Sequence, residues 1–164
     1  MSRLPSNQRP PLGLLAFMAS VVMLFSAFTA AYLVRRGGTD WQPIALPWLL
    51  WVNTAVLAAS SVAIELARRR GRAWSVATGG FGLAFVVGQV FAWRQLADAG
   101  MYLPTNPHCS FLYLLTAVHG MHVLGGVGSL LWAFGRPWRI GTVALYWHFM
   151  GAVWAYLLLL LGTV

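Results

Sequence analysis

The stretch Leu12–Val34, LGLLAFMASVVMLFSAFTAAYLV, decides the fold class of this chain. It is longer than the roughly 20 apolar residues that a helix needs to cross the hydrocarbon core of a bilayer, and it carries no charged side chain. A cleaved signal peptide has an apolar core of about 7–15 residues before a small-residue cleavage site, whereas this stretch runs into Arg35 and Arg36. The stretch therefore predicts a retained membrane-spanning helix.

Four further apolar runs of similar length follow, predicted as spans at Leu46–Ala67, Ser75–Ala97, Cys109–Phe134 and Thr142–Val164. The connectors RRGGTDWQP, RRRGR, DAGMYLPTNPH and GRPWRI each contain Arg, Gly or Pro, where a helix should leave the hydrocarbon. Connectors this short make neighbouring helices antiparallel. The sequence predicts an all-α, integral membrane bundle of five antiparallel transmembrane helices over residues 12–164, preceded by a short tail over residues 1–11.

The composition excludes several other classes of protein. Of the 164 residues, 59% are hydrophobic and three are acidic, which is too apolar for an ordinary soluble domain. The net charge of +8 comes from arginines at the ends of the apolar runs, without a nucleic-acid-binding motif, so we expect no nucleic-acid partner. The single cysteine, Cys109, excludes an internal disulfide and a multi-cysteine metal site.

The arginines predict the orientation in the membrane. The tail and the second and fourth connectors contain Arg3, Arg9, Arg68, Arg69, Arg70, Arg72, Arg136 and Arg139, whereas the other side has Arg35, Arg36 and Arg94. The positive-inside rule places the N-terminus in the cytoplasm and the C-terminus outside. We expect the following residues to contact lipid headgroups: Arg68, Arg69, Arg136 and Arg139.

Most of the tryptophans near the ends of the runs are predicted to lie at the two membrane interfaces, as aromatic side chains commonly do, and seven tryptophans have such positions. These are Trp41, Trp48, Trp51, Trp74, Trp93, Trp138 and Trp147.

Ionisable and amide side chains inside apolar runs are the best candidates for function, because they are costly in a bilayer. Glu65 lies one turn before Arg68 and Arg69 and can form ion pairs with them. Arg94 lies near the outer end of the third run, where its side chain can reach water. The remaining candidates are Asn53, Gln89, Asn106, His119, His122 and His148.

His119 and His122 are one helical turn apart in the fourth run and share one face, and His148 lies in the fifth. Three imidazoles could bind heme or copper, so a membrane b-type cytochrome is one hypothesis. Counting from the shared connector, however, the depth of His148 differs from that of the other two by roughly 9 Å or more, whereas two axial ligands need similar depths. Hydrogen bonding between helices is favoured instead, next to glycines that would allow close packing, namely Gly120, Gly125, Gly126 and Gly128. No phosphate-binding loop, catalytic triad or HExxH motif is present.

Two motifs near the C-terminus carry a family resemblance. NPHCSFLYLLTAVHGMHVLGGVG and, after a short connector, YWHFMGAVWAYLLLL closely resemble the last two helices of subunit III of heme-copper oxidases. PWLLWVNTAVLAASSVAIELA, GLAFVVGQVFAW and MLFSAFTAAYL are similar to the three preceding helices of that family. The resemblance extends from about Leu12 to the C-terminus.

The resemblance implies a short, five-helix, non-catalytic subunit III of a cytochrome c or quinol oxidase in a bacterial inner membrane. It implies that heme and copper belong to partner subunits, that this chain binds neither, and that phospholipid binds to it. The principal partner would be oxidase subunit I, whose stability and proton uptake the subunit supports, together with other respiratory subunits. The residues that we expect to act in helix packing and assembly are Asn53, Glu65, Gln89, His119, His122, Trp147 and His148.

Two positions depart from the family pattern. A glutamate common in the family three residues after the helix glutamine is Ala92 here, and an acidic residue common after the Tyr-Trp-His-Phe motif is Gly151. These losses put an acid-linked role inside the bundle in doubt. They keep open a subunit III-like component of a nitric oxide reductase, beside the b-type cytochrome that would use His119, His122 and His148. A small transporter would need discontinuous helices and repeats that the sequence lacks.

Overall fold

The computed structural model describes residues 11–134 and 136–163 and contains five long helices, with no strand in those two ranges. Their bounds are α1 Leu12–Arg36, α2 Trp48–Arg70, α3 Arg72–Asp98, α4 Pro107–Ala133 and α5 Ile140–Gly162. Each helix is long and apolar enough to cross a membrane. The predicted all-α, five-helix fold is confirmed, while the tail lies outside the described residues except for Pro11.

Contacts between connections show that the helices run antiparallel. At one end, the Arg72 guanidinium lies 4.4 Å from the centre of the Phe134 ring, so the α2–α3 and α4–α5 connections are neighbours. We call this the arginine-rich end. At the opposite end, the Ile44 backbone N–H donates to Nδ1 of His108 at 3.2 Å, which joins the α1–α2 connection to the start of α4.

Every helix differs by a few residues from its predicted span. Helix α1 continues past Val34 because Arg35 and Arg36 can extend towards water while the backbone stays helical. Helix α2 begins after Pro47, later than predicted. Helix α4 begins earlier, because Pro107 suits the first helical position and the side chain of Asn106 accepts a hydrogen bond from the Cys109 N–H at 3.1 Å.

The predicted connector RRRGR is mostly helical, which corrects the spans on either side of it. Arg68 to Arg70 complete the last turn of α2, and Arg72 already belongs to α3. Gly71 alone separates the helices, with φ of 95°, a value that side chains with a Cβ rarely adopt. Helix α5 likewise begins at Ile140, directly after a 3₁₀ turn over Pro137–Arg139.

The helices pack unequally around the core. Helices α2 and α3 are the most closely paired, and α5 packs against both α2 and α4. Helix α1 lies at the side of the bundle on α4 and α5, and its buried residues are Val21, Phe25 and Tyr32. Helices α2 to α5 therefore enclose most of the buried polar residues.

Candidate functional site

Trp147 lies at the junction of four helices. Its side chain is 2% exposed, and its indole N–H donates to the Ser60 hydroxyl on α2 at 2.8 Å. A Cβ placed on Gly82 of α3 would lie 2.9 Å from the indole ring, and one on Gly126 of α4 would lie 3.1 Å from it. Trp147 therefore packs between helices inside the bundle, where its ring fills a space that two glycines leave open.

Two other indole N–H groups also donate hydrogen bonds to hydroxyls on a neighbouring helix. Trp154 of α5 donates to Thr54 of α2 at 2.9 Å, and Trp93 of α3 donates to Thr116 of α4 at 3.0 Å. Trp154 is buried and follows Trp147 by seven residues, two helical turns later on the same side of α5. That seven-residue spacing was the signal by which the sequence could have identified Trp154.

His119 lies inside the bundle and has aromatic neighbours. Its ring centre is 5.1 Å from that of Trp154 and 5.6 Å from that of Phe85, and the side chain is fully buried. Neither ring nitrogen has a hydrogen-bond partner among the described residues, and the same holds for the side-chain amide of Gln89. His119 thus packs against rings of α3 and α5, and among the described residues it does not form the expected hydrogen bond to another helix.

His122 faces a different neighbour from His119. Its ring packs against Phe17 and Phe25 of α1, with ring centres 6.2 and 5.8 Å apart, and its Nδ1–H donates to the Val118 carbonyl at 2.7 Å. The His122 backbone carbonyl accepts from the Tyr146 hydroxyl at 2.9 Å. Although one turn separates the two histidines, they pack in separate places and do not converge on one point.

Asn53 and Glu65 occupy opposite environments on α2. Asn53 is 2% exposed, and its amide donates to the Phe85 carbonyl of α3 at 3.3 Å. Glu65 lies near the arginine-rich end and accepts from Arg68 at 2.9 Å, with Arg69 at 3.6 Å, which are the ion pairs expected from the spacing. Asn53 thus joins two helices, whereas Glu65 makes its ion pairs within one helix.

Of the four glycines that were predicted to allow close helix packing, only Gly126 has close neighbours. Gly126 packs tightly on Trp147, but Cβ atoms on Gly120 and Gly128 would meet nothing within 4 Å, and one on Gly125 would meet only the Tyr146 hydroxyl at 3.9 Å. Among the described glycines within helices, the others that make close contacts lie on α3 at Gly82 and Gly88. These two glycines were not predicted to pack closely, because they lie apart from the histidine motif.

The exposed surface of the chain includes His148 and three of the four arginines that were predicted to contact headgroups. The His148 side chain is exposed on α5, unlike its neighbour Trp147. Arg68, Arg69 and Arg136 are also exposed, and the Arg139 guanidinium lies 3.7 Å from the centre of the Trp132 ring. The position of these four arginines at the arginine-rich end would allow them to contact lipid headgroups.

His108 is a buried residue that the sequence interpretation did not single out. Its ring stacks on Trp41, with centres 5.0 Å apart, besides accepting from the Ile44 N–H. Tyr32 packs edge-on against both rings. Trp41 is therefore half-buried in an aromatic cluster at the opposite end, whereas Trp48, Trp51 and Trp138 are exposed.

The arrangement brings together indoles, hydroxyls, amides and small residues, which stabilise helix contacts. Among residues 11–134 and 136–163, no three His, Cys, Asp or Glu side chains lie close enough to bind a metal together. His119 packs on Trp154, which follows His148 by six residues and therefore lies roughly 9 Å further along α5. His119 and His148 are thus at different depths, as the sequence predicted.

Comparisons with known proteins agree on one family. The chain is 34% identical to cytochrome c oxidase subunit 3 of Thermostichus vulcanus over 173 residues, which cover 92% of this chain and 85% of that protein. It is 32% identical to the probable cytochrome c oxidase subunit 3 of Mycobacterium tuberculosis, with 93% and 88% covered. The subunit 3 of Synechocystis is 29% identical over 90% of this chain and 72% of the relative. No family profile matches the chain.

Proposed function

We infer a function for this chain from one premise: it belongs to the cytochrome c oxidase subunit 3 family. It is a multi-pass membrane protein and a subunit III of a heme-copper oxidase. We propose that it contributes to oxygen reduction without a redox centre of its own. Its principal contact would be subunit I, which it stabilises and whose proton uptake it supports.

The proposal of a non-catalytic role depends on how far apart the three imidazoles of α4 and α5 lie. His119 packs between Phe85 and Trp154, His122 packs against α1, and His148 is exposed on α5. Two axial ligands of one heme must face a common space at one depth, and these residues do not. This arrangement favours heme and copper in partner subunits over the b-type cytochrome hypothesis.

The names of the relatives favour an oxidase over the nitric oxide reductase alternative. The two departures from the family pattern lie in packed places. Ala92 is fully buried in the same apolar cluster as Phe85, and a Cβ on Gly151 would lie 3.6 Å from the Ser61 hydroxyl. We therefore propose that this chain supports subunit I by packing and lipid contact, without a buried carboxylate at these two positions.

We propose a bacterial inner membrane location, with the arginine-rich end towards the cytoplasm. This follows from the positive-inside rule, since the α2–α3 and α4–α5 connections at that end hold most of the described arginines. Phospholipid headgroups would contact Arg68, Arg69, Arg136 and Arg139 there.

His119→Ala tests whether the buried histidine binds heme. The substitution removes a ring packed against two aromatic residues, so we expect it to destabilise the chain by about 2–3 kcal/mol and to reduce its retention in the purified complex. Heme per subunit I should be unchanged in the heme absorption spectrum of that complex. Met121→Ala, at a 70% exposed position of the same helix, is the matched control and should change neither quantity.

Two spectra would overturn the proposal. One is a loss of heme absorbance per subunit I on His119→Ala. The other is a Soret band that increases in proportion to this chain when the full chain is expressed and purified without partners. Failure of the tagged chain to copurify with any heme-bearing subunit would contradict its membership of an oxidase complex.

A further inference from the structure

His148 is an ionisable side chain on the outer surface of a membrane-spanning helix. It lies eight residues after Ile140, roughly 12 Å along the helix axis from the start of α5. Its ring is exposed and has no hydrogen-bond partner among the described residues. Lipid tails cannot supply that partner, and an imidazole left without one in hydrocarbon is costly. The exposed ring therefore points to a polar group from outside the chain.

The surface around His148 is a continuous strip along α5. It consists of Leu145, His148, Ala152, Ala155 and Leu159, all exposed, and we call it the α5 face. The residues follow one another at intervals of three and four, the spacing with which one helix packs along another. The short side chains of Ala152 and Ala155, at the centre of the strip, allow a neighbouring helix to approach the α5 backbone closely.

The neighbouring helices leave the α5 face open. Helix α5 packs against α2 on one side and against α1 on the other, where the Tyr156 and Thr29 hydroxyls are 2.8 Å apart. Helices α1 and α2 make little contact with each other. On the α2 side, the Glu65 carboxylate is already paired with Arg68 and Arg69.

We propose that the α5 face receives a transmembrane helix of the large oxidase subunit, which forms a hydrogen bond with the His148 ring. A protein helix fits the observations better than lipid because it can supply both an extended apolar surface and a hydrogen-bonding group at this depth. This proposal rests on the proposed function, since it names the surface through which the chain joins the complex. On α3, the exposed side chains of Leu83, Val87 and Val90 are apolar and need no such partner.

A photocrosslinking experiment on the intact complex tests the location. Benzoylphenylalanine at Ala152 should crosslink this chain to the heme-bearing large subunit, identified by mass spectrometry, whereas the same group at Val87 should give no such product. The proposal is overturned if Ala152 yields only lipid adducts or a crosslink to a second copy of this chain, or if Val87 yields the crosslink to the large subunit. If no heme-bearing subunit copurifies before irradiation, the proposed function itself fails.

Substitutions of His148 test the hydrogen bond. His148→Leu should reduce the fraction of complex that survives a stringent detergent wash by about fivefold. This is the change expected for the loss of one hydrogen bond between membrane helices, which contributes about 1 kcal/mol. His148→Gln keeps a donor and an acceptor and should stay within about twofold of the wild type. Equal retention of all three proteins would show that no hydrogen bond to the partner depends on this ring.

Discussion

Trp147→Ala should lower the free energy of unfolding of this chain by about 4 kcal/mol, as expected for a large aromatic side chain removed from a packed core. The indole is 2% exposed, lies against Gly82 and Gly126, and donates to Ser60. Because lipid provides little hydrophobic driving force between helices, this cost comes mainly from lost van der Waals contacts and from the cavity that remains. The substitution removes contacts to three other helices at once.

Unfolding is measured in mixed micelles titrated with sodium dodecyl sulfate. Circular dichroism is the readout, because the loss of an indole would itself change the tryptophan fluorescence. Trp138→Ala is the matched control: that side chain is 74% exposed, and we expect a change below about 0.5 kcal/mol. Trp147→Phe, which keeps an aromatic ring but loses the bond to Ser60, should fall between the two. A loss for Trp147→Ala no larger than for Trp138→Ala would contradict the four-helix junction.

Apolar run length was sufficient to predict the five helices, because each element had to satisfy its own backbone hydrogen bonds in hydrocarbon. The helix ends were less predictable, since Arg68 to Arg70 can stay helical while their side chains reach water. Hydropathy marks where a side chain prefers to be, whereas the backbone continues until a residue such as Gly71 or Pro107 changes its conformation.

The candidate site was less predictable because its contacts join residues far apart in the chain. Trp147 stands near the start of its apolar run, which favoured an interfacial interpretation, and only the positions of Gly82 and Gly126 on other helices show that the ring has a space inside the bundle. His119 and His122 were correctly identified as polar residues within a span. Which helix each one faces depends on the rotation of α4 relative to its neighbours, and sequence spacing leaves that rotation open.

Gly88→Ala should destabilise the chain by about 3 kcal/mol, although alanine normally favours a helix. A Cβ on Gly88 would overlap the Asn53 carboxamide, approaching its Oδ1 most closely and lying 2.9 Å from its Cγ. Asn53 is buried, so its displaced amide would lose the bond to the Phe85 carbonyl and find no water. Overpacking of about 1–3 kcal/mol and a buried amide without a partner at about 1–3 kcal/mol both contribute.

A double-mutant cycle isolates the contact between Gly88 and Asn53. Asn53→Ala alone should cost about 1–2 kcal/mol, through one lost hydrogen bond and a small cavity. In the Asn53→Ala background, Gly88→Ala no longer meets the carboxamide and should cost almost nothing, which gives a coupling of about 2–3 kcal/mol. Gly80→Ala, on the same helix with open space around its Cβ, should leave stability unchanged or raise it by up to about 1 kcal/mol. If the losses of unfolding free energy for Gly88→Ala and Asn53→Ala were simply additive, α2 and α3 would not approach each other closely here. Only a close approach of the two helices makes the destabilisation by one substitution depend on whether the other is present.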